Sequence, residues 1–561
     1  MAEKSIYAVA PPKWPLWWLL LSLIVLLAGG LRFWGLAEQE IWIDESCTSF
    51  VVGHWSDWPS DGPDPRTSIA HKPYFWALSL WTRAVGDDVW GLRSFSVLGG
   101  CLAVMGIGLL GGLISGPRVA LLSLTLAAVN PLLIYYSQQA RVYAWWIFFS
   151  AVWLICLQQA ARSLRWRWWG ASVLAAGACV FVHYHTLFFL PASAICVFIS
   201  RRRAKAVTQW FFSYAALAVA MIPLVFNYVI PLRHQGPRQW LEQTWQASPP
   251  SLAIVKSLGV MLPSADYPNY LGSLGAVFRI AKQRWGEAGV YSMLLLPVVV
   301  MLAGLVCMVL IKPAKKENRV DDAFVAHSAN QVAWLGGFAM VGLVSMAGYS
   351  ALVFPAYIVG RYDLIVLPAM IVLCAIGLNA LAVRCTRSIK TSACLAAIFL
   401  VIMMACSASV LAAQRMVQPG SDTHNRALRI ANVVGENDMI VSLSMYRWFM
   451  DYEWRQIGFT PEIVSFPGCH DRQLCWDDAQ AELAAPTILS NEVAKMTARI
   501  EQAISQGRRV WLLAQGAPEG PRWEVNRRLF SALREGHIDV ELRDAWLGLA
   551  ALKKTPGYSG F

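Results

Sequence analysis

The chain has 561 residues, of which 57% are hydrophobic and only 15% are charged. A soluble protein of this size carries roughly a quarter charged residues, so an ordinary soluble enzyme is excluded and a polytopic membrane protein is indicated. The net charge of +12 comes from short basic clusters between apolar runs and not from one basic face, which excludes nucleic-acid binding.

A bilayer core of about 30 Å takes ~20 helical residues to cross. Apolar runs of that order lie near 14–34, 92–113, 118–136, 142–161, 168–186, 187–200, 209–230, 289–311, 332–354, 364–383 and 391–413. The sequence thus predicts about eleven spans, the sixth being the shortest. The first run is too long for a signal peptide and has no small-residue cleavage site after it, so it is read as a retained anchor.

Lys and Arg gather in alternate connections: Arg162, Arg165 and Arg167, then Arg201, Arg202, Arg203 and Lys205, then Lys312, Lys315, Lys316 and Arg319, then Arg384, Arg387 and Lys390. The positive-inside rule predicts that these connections are cytoplasmic. The short turns of the opposite side hold only Arg141 and Arg361.

Three regions are predicted outside. The first is a loop from Gly35 to about Gly91, turn-rich between Pro59 and Pro65, in which Pro73 opens a short helix running to about Gly86. Its tryptophans suit a helix lying in the interface. The second outer loop spans 231–287 and carries Trp240 and Trp245. The third region follows Pro419. There alternating segments at 438–444, 462–466, 509–513 and 537–541 predict strands, and 490–505 and 521–535 predict helices. The expected fold is an all-α polytopic bundle over 1–415 with an extracytoplasmic α/β domain over 420–561. Most of the 12 cysteines fall in or beside spans, whereas Cys469 and Cys475 lie in the outer domain, close enough in sequence for a short disulfide.

Ile41-Trp42-Ile43-Asp44-Glu45-Ser46-Cys47 places two carboxylates just after the first span. Paired loop acids are ordinarily solvated surface charges. At a membrane edge beside Trp42 and Ile43, one oriented carboxylate suits general-base work while its neighbour braces it. Lys72 stands before Pro73 at a helix start, which favours anions. Arg141 in Tyr135-Tyr-Ser-Gln-Gln-Ala-Arg-Val-Tyr143 and Arg361 in Tyr357-Ile-Val-Gly-Arg-Tyr362 sit in short aromatic turns at headgroup depth. Arginines at membrane ends often only snorkel. Snorkelling predicts many such residues, however, and the guanidinium matches phosphate bidentately. His71, His183 and His185 fall on the same side, as do Tyr74, Tyr143 and Tyr362 as site-lining residues. A divalent metal held by His71 is an alternative to a hydrogen-bonding role. Trp42, Trp55, Trp58, Trp240 and Trp245 are candidates to stack on a sugar.

Several motifs in this order resemble the C-type glycosyltransferases, integral membrane enzymes that use polyprenyl-phosphate sugars. They are the acid pair after the first span, His71-Lys72-Pro73-Tyr74, Gly86-Asp87…Leu92-Arg93, a Gln-x-Ala-Arg-x-Tyr turn and the outer Arg361-Tyr362. The resemblance covers roughly residues 10–385 and is to the branch holding bacterial protein O-mannosyltransferase relatives and the lipid A aminoarabinose transferase. It implies Asp44 as the catalytic acid of the pair with Glu45 beside it, and Lys72, Arg141 and Arg361 as contacts to the donor's phosphate. It implies a polyprenyl-phosphate (undecaprenyl-phosphate) sugar as donor, a protein, lipid or envelope glycan as acceptor, and an inner or plasma membrane location with the site on the periplasmic face. The chain departs from the aminoarabinose branch at His71, where that branch carries a glutamate tied to metal and donor binding. The rival readings are a lipid-linked glycan flippase or transporter, which ordinarily shows inverted repeats and mid-membrane charges, a polysaccharide ligase, and a scaffold.

Overall fold

The computed structural model describes residues 14–55, 72–198, 203–226, 319–384, 422–443, 446–468, 483–514, 520–544 and 548–554, with isolated positions such as Ser257. The predicted spans 289–311 and 391–413 and most of the second outer loop, with Trp240 and Trp245, lie outside the described residues, as do His71, Trp58, Cys469 and Cys475.

In chain order the first helices are α1 (Trp14–Phe33), α2 (Ile43–Gly53), α3 (Lys72–Val85), α4 (Val89–Ser115), α5 (Pro117–Val129), α6 (Pro131–Ser137), α7 (Tyr143–Ser163), α8 (Trp166–Val182), α9 (Ala194–Phe198), α10 (Arg203–Leu224), α11 (Arg319–Leu352) and α12 (Leu367–Arg384). The chain divides into two compact units, one of Met1–Gln39, Ile69–Tyr74 and Trp90–Gln418, the other of Glu40–Ser68, Phe75–Val89 and Pro419–Phe561.

In the first unit, five described helical stretches are long and apolar enough to cross a bilayer: Val89–Ser115, Tyr143–Ser163, Ala204–Leu224, Asn330–Leu352 and Leu364–Leu381. Helix α7 packs along α8, and α5 packs against both α1 and α12. The predicted run 118–136 is two helices, α5 and α6, bent by 58° at Asn130. Pro131 has no N–H to give the carbonyl of Ala127, so the α-helical ladder stops there. The Asn130 side chain restarts it by accepting the Leu133 N–H at 2.9 Å. Arg32 of α1, wholly buried, supplies the missing donors. Its Nη2 donates to Ala127 O at 3.1 Å and its Nη1 to Ala128 O at 3.0 Å. The cation at the end of α1 is thus a plug for a broken helix.

The sixth predicted span, 187–200, is corrected by the structure. The chain there forms 3-10 turns at Tyr184–Phe189 and Pro191–Ser193, then the five-residue α9. His183 is extended (φ −154°), and Pro191 would clash with the Leu187 carbonyl in an α-helix. Among the described residues the run is therefore not one continuous helix of spanning length.

The second unit contains α2, most of α3 and a carboxy-terminal domain. That domain runs α13 (Asp422–Val433), β1 (Met439–Leu443), α14 (Tyr446–Gln456), β2 (Glu462–Phe466), α15 (Pro486–Ser505), β3 (Val510–Leu513), α16 (Gly520–Glu535), β4 (Ile538–Asp544) and β5 (Leu549–Lys554). The strand order is β2-β1-β3-β5-β4, with β2, β1 and β3 parallel and β5 antiparallel to both neighbours. Alternation sends Met439, Val441 and Leu443 into one core with Leu489, Ile500 and Leu529, and Ile440 into another with Met450, Trp454 and Trp511. Edge strand β4 exposes Asp539, Glu541 and Arg543, charges that discourage pairing with another chain. Helix α2 docks on α14 through a buried cluster of Cys47, Phe50 and Trp448.

Candidate active site

The first unit builds a cationic and aromatic wall. Arg361 lies in the turn between α11 and α12, where Gly360 takes φ +72°, a conformation that glycine adopts without strain. The Arg361 side chain is nearly buried. Its Nε–H donates to the Tyr143 hydroxyl at 2.5 Å, and its Cζ lies 5.5 Å from the Tyr143 ring centre and 5.6 Å from that of Tyr362. The Tyr136 hydroxyl donates to the Gly360 carbonyl at 2.6 Å, which ties α6 to the same turn. With Nε committed to the Tyr143 hydroxyl and the Tyr143 and Tyr362 rings close by, the group is restrained in its orientation.

Asp363, fully buried, secures the turn from beneath. Its Oδ2 accepts the Gly360 N–H at 3.1 Å and the Ser257 hydroxyl. Ser257 in turn lies 2.6 Å from the Tyr357 hydroxyl. Burial pushes the Asp363 carboxyl up to about 6, against hydrogen bonds from Ser257 and from the backbone of Gly360, Asp363 and Arg361.

His183 and His185 stand behind Tyr362, with His185 4.3 Å and His183 5.1 Å from its ring centre. His185 Nε2 is 3.0 Å from the Ala356 carbonyl, which can only accept, so that nitrogen carries a proton. In the neutral ring Nδ1 is then an acceptor, and it receives the Nδ1–H of His183 at 3.2 Å. The pair thus has a fixed order of tautomers.

Arg141 and Lys72 are placed through the contacts of their neighbours. The Ser96 hydroxyl donates to the Arg141 carbonyl at 3.1 Å. Its neighbour Phe95 packs on Tyr74, ring centres 5.7 Å apart, and on Trp145 at 4.9 Å. Tyr74 is two residues after Lys72, and Tyr143 two residues after Arg141. Helix α4 thus touches Tyr74 and the Arg141 turn, and the Arg361 turn reaches Tyr143 at the start of α7.

The acid pair belongs to the second unit. Asp44 and Glu45 occupy the first turn of α2, where acidic side chains complement the helix dipole. Both are buried. Glu45 reaches back to the Trp42 N–H at 3.4 Å, and the Thr48 hydroxyl donates to the Asp44 carbonyl at 2.9 Å. Glu45 thus braces the helix start while Asp44 is the other acid. Among the described residues, no group of three His, Cys, Asp or Glu is arranged to hold a metal ion.

Several residues that organise the site escaped the sequence. The Gln138 amide donates to the carbonyls of Leu31, Arg32 and Trp34 at 3.2, 3.2 and 3.0 Å, closing the end of α1. Arg93 Nη1 donates to Leu36 and Gln39 carbonyls, each at 2.8 Å. Both belong to motifs quoted above, and here both hold backbone. Asp363 had a signal in its two-residue distance from Arg361; Arg32 inside an apolar run had another.

Residues 72–227 match the family described as dolichyl-phosphate-mannose-protein mannosyltransferase. The crystal structure of ArnT from Cupriavidus metallidurans in the apo state matches with a TM-score of 0.54 at 11% identity, over 96% of this chain and 98% of that one. Over residues 72–227 the chain is similar to that family, and over nearly its whole length it shares the ArnT fold. ArnT from the same organism bound to undecaprenyl phosphate matches this chain with a TM-score of 0.51 at 12% identity, over 97% and 99% of the two chains. At such identity the structural likeness is one of fold, a multi-pass helical membrane domain followed by a mixed α/β sheet. The family segment includes Lys72, Arg141, Tyr143, His183 and His185, whereas Asp44, Glu45, Arg361 and Tyr362 lie outside it. No curated protein matches the chain.

Proposed function

We propose that the protein is a C-type membrane glycosyltransferase that moves a sugar from a polyprenyl phosphate of the undecaprenyl type to an acceptor hydroxyl on the extracytoplasmic face, with inversion at the anomeric carbon. Asp44 takes the proton of the acceptor hydroxyl as its oxygen attacks that carbon, and the bond from the anomeric carbon to the phosphate oxygen breaks. Charge builds on the departing phosphate, and fixed cations there lower the barrier more than they strengthen substrate binding. Arg361, Arg141 and Lys72 take that role. Glu45, through the Trp42 N–H, holds the helix start on which Asp44 sits.

The observation that carries the donor assignment is Arg361. A nearly buried guanidinium, held by the Tyr143 hydroxyl and close to the Tyr143 and Tyr362 rings, is prepared for an oxyanion and not left to solvent. The lysine and arginine distribution supports an outer site. The functional division that goes with this reading is a transferase domain over 1–415 and an extracytoplasmic domain over 420–561. The test of the donor assignment is binding of undecaprenyl phosphate to the purified protein. Wild-type affinity in an Arg361→Ala variant removes Arg361 from the phosphate site.

A further inference from the structure

Beside the apolar cluster of Cys47, Phe50 and Trp448, a guanidinium fastens helix α2 to the carboxy-terminal domain. Arg455, near the end of α14, donates Nη2 to the Ser49 hydroxyl at 2.8 Å and to the Ser49 carbonyl at 3.3 Å. Its Nη1 donates to Asp87 Oδ2 at 2.9 Å and its Nε to Asp451 Oδ2 at 3.0 Å. Three segments distant in sequence converge on this one side chain: α2, the turn after α3, and α14. Asp451 also lies 3.8 Å from His54 at the end of α2. The guanidinium rests against the last residue of the helix, Gly53, where a Cβ would stand 2.6 Å from Nη1 and 2.8 Å from Cζ. Any larger residue there displaces it. About two turns back on α14, Arg447 places its Cζ 5.5 Å from the Phe50 ring centre.

We infer that Arg455 is a positioning residue for sugar transfer, fixing the rotation of α2 and so the carboxylate that this helix presents. The inference rests on the reading of Asp44 as the base. Neighbouring residues on a helix point about 100° apart, so a rotation of that size exchanges Glu45 for Asp44. Ser49 is five residues from Asp44, about 7.5 Å along the same rigid element at the standard rise. A fork of fixed donors locks rotation in a way that a single ammonium does not.

Cys47 makes a direct reporter, because it lies on α2, is buried and forms no disulfide. The test uses the full-length protein in lipid nanodiscs, comparing wild type with Arg455→Met, Arg455→Lys, Asp87→Asn and Gly53→Ala. Three quantities are read: maleimide labelling of Cys47 by peptide mass spectrometry, affinity for undecaprenyl phosphate, and turnover of labelled undecaprenyl-phosphate hexoses with envelope extract as acceptor. Arg455→Met is expected to speed Cys47 labelling at least tenfold and to lower kcat at least tenfold, with affinity for undecaprenyl phosphate unchanged. Arg455→Lys should fall between the two. Should Arg455→Met lose undecaprenyl-phosphate binding through misfolding, Gly53→Ala and Asp87→Asn carry the same expectation in weaker form. Unchanged Cys47 labelling in all variants overturns the fastening, and faster labelling with full turnover overturns the positioning role. Asp44→Asn is assayed alongside: full turnover there removes the base reading, whereas Cys47 protection still reports the fastening by itself.

Discussion

Arg361 and Tyr143, 218 positions apart in the chain, are joined by a 2.5 Å hydrogen bond from guanidinium to phenol. That bond brings the turn before α12 onto the start of α7 and sets the orientation of a cation that would otherwise rotate. Replacing Arg361 by Ala removes charge and fork together. A hydrogen bond involving a charged group is worth about 1.5–3 kcal/mol, so undecaprenyl phosphate should bind roughly 10- to 100-fold more weakly. Tyr143→Phe keeps the ring and loses the hydroxyl, so a smaller loss, up to about tenfold, is expected. Titration of both variants by calorimetry checks the order, and their effects should be less than additive when combined.

Asp363 gives the turn a pH dependence with a defined sign. An unfolded Asp titrates near ~3.9, and the buried carboxyl is pushed up to about 6. The folded protein therefore holds the proton more tightly. The stability that this contributes is full below about pH 4 and is lost as pH rises through about 6. Asp363→Asn buries no charge and keeps an oxygen for Gly360 and Ser257. Its melting temperature relative to wild type should rise between pH 4.5 and 7.5 and level off above that. A difference independent of pH contradicts this account of Asp363.

Arg32 is predicted to matter for assembly and not for the reaction itself. Arg32→Lys offers one donor point for carbonyls that now receive two separate nitrogens. An orphaned buried carbonyl costs roughly 1–3 kcal/mol. Thermal unfolding in detergent should come several degrees lower, while the KM of whatever protein folds stays near wild type. Wild-type stability would show that the break at Pro131 needs no plug.

The sequence read well where one physical signal dominates. Hydropathy located α4, α7, α10, α11 and α12, and alternation located β1 to β4. Strand β5 was missed because Leu549-Ala-Ala-Leu552 has no β-branched residue, and only pairing with β3 and β4 makes it a strand. The span expected at 187–200 failed for the converse reason, since hydropathy is blind to Pro191. Arg361 and Tyr143 were each legible as site residues. Their bond was not, because nothing in either segment encodes the register of two turns 218 residues apart. The fastening of α2 by Arg455 was equally hidden: Asp87 stood out only within the Gly86-Asp87 motif and Arg455 not at all, and only the fold makes them partners.

The central claim is that Asp44 is the proton acceptor in sugar transfer from a lipid phosphate. Its most direct test is the turnover of labelled undecaprenyl-phosphate sugars by Asp44→Asn, measured beside its affinity for undecaprenyl phosphate. The account predicts turnover lost by about 10²–10⁴-fold, the usual contribution of a general base, with affinity retained. Turnover within a few fold of wild type would contradict it.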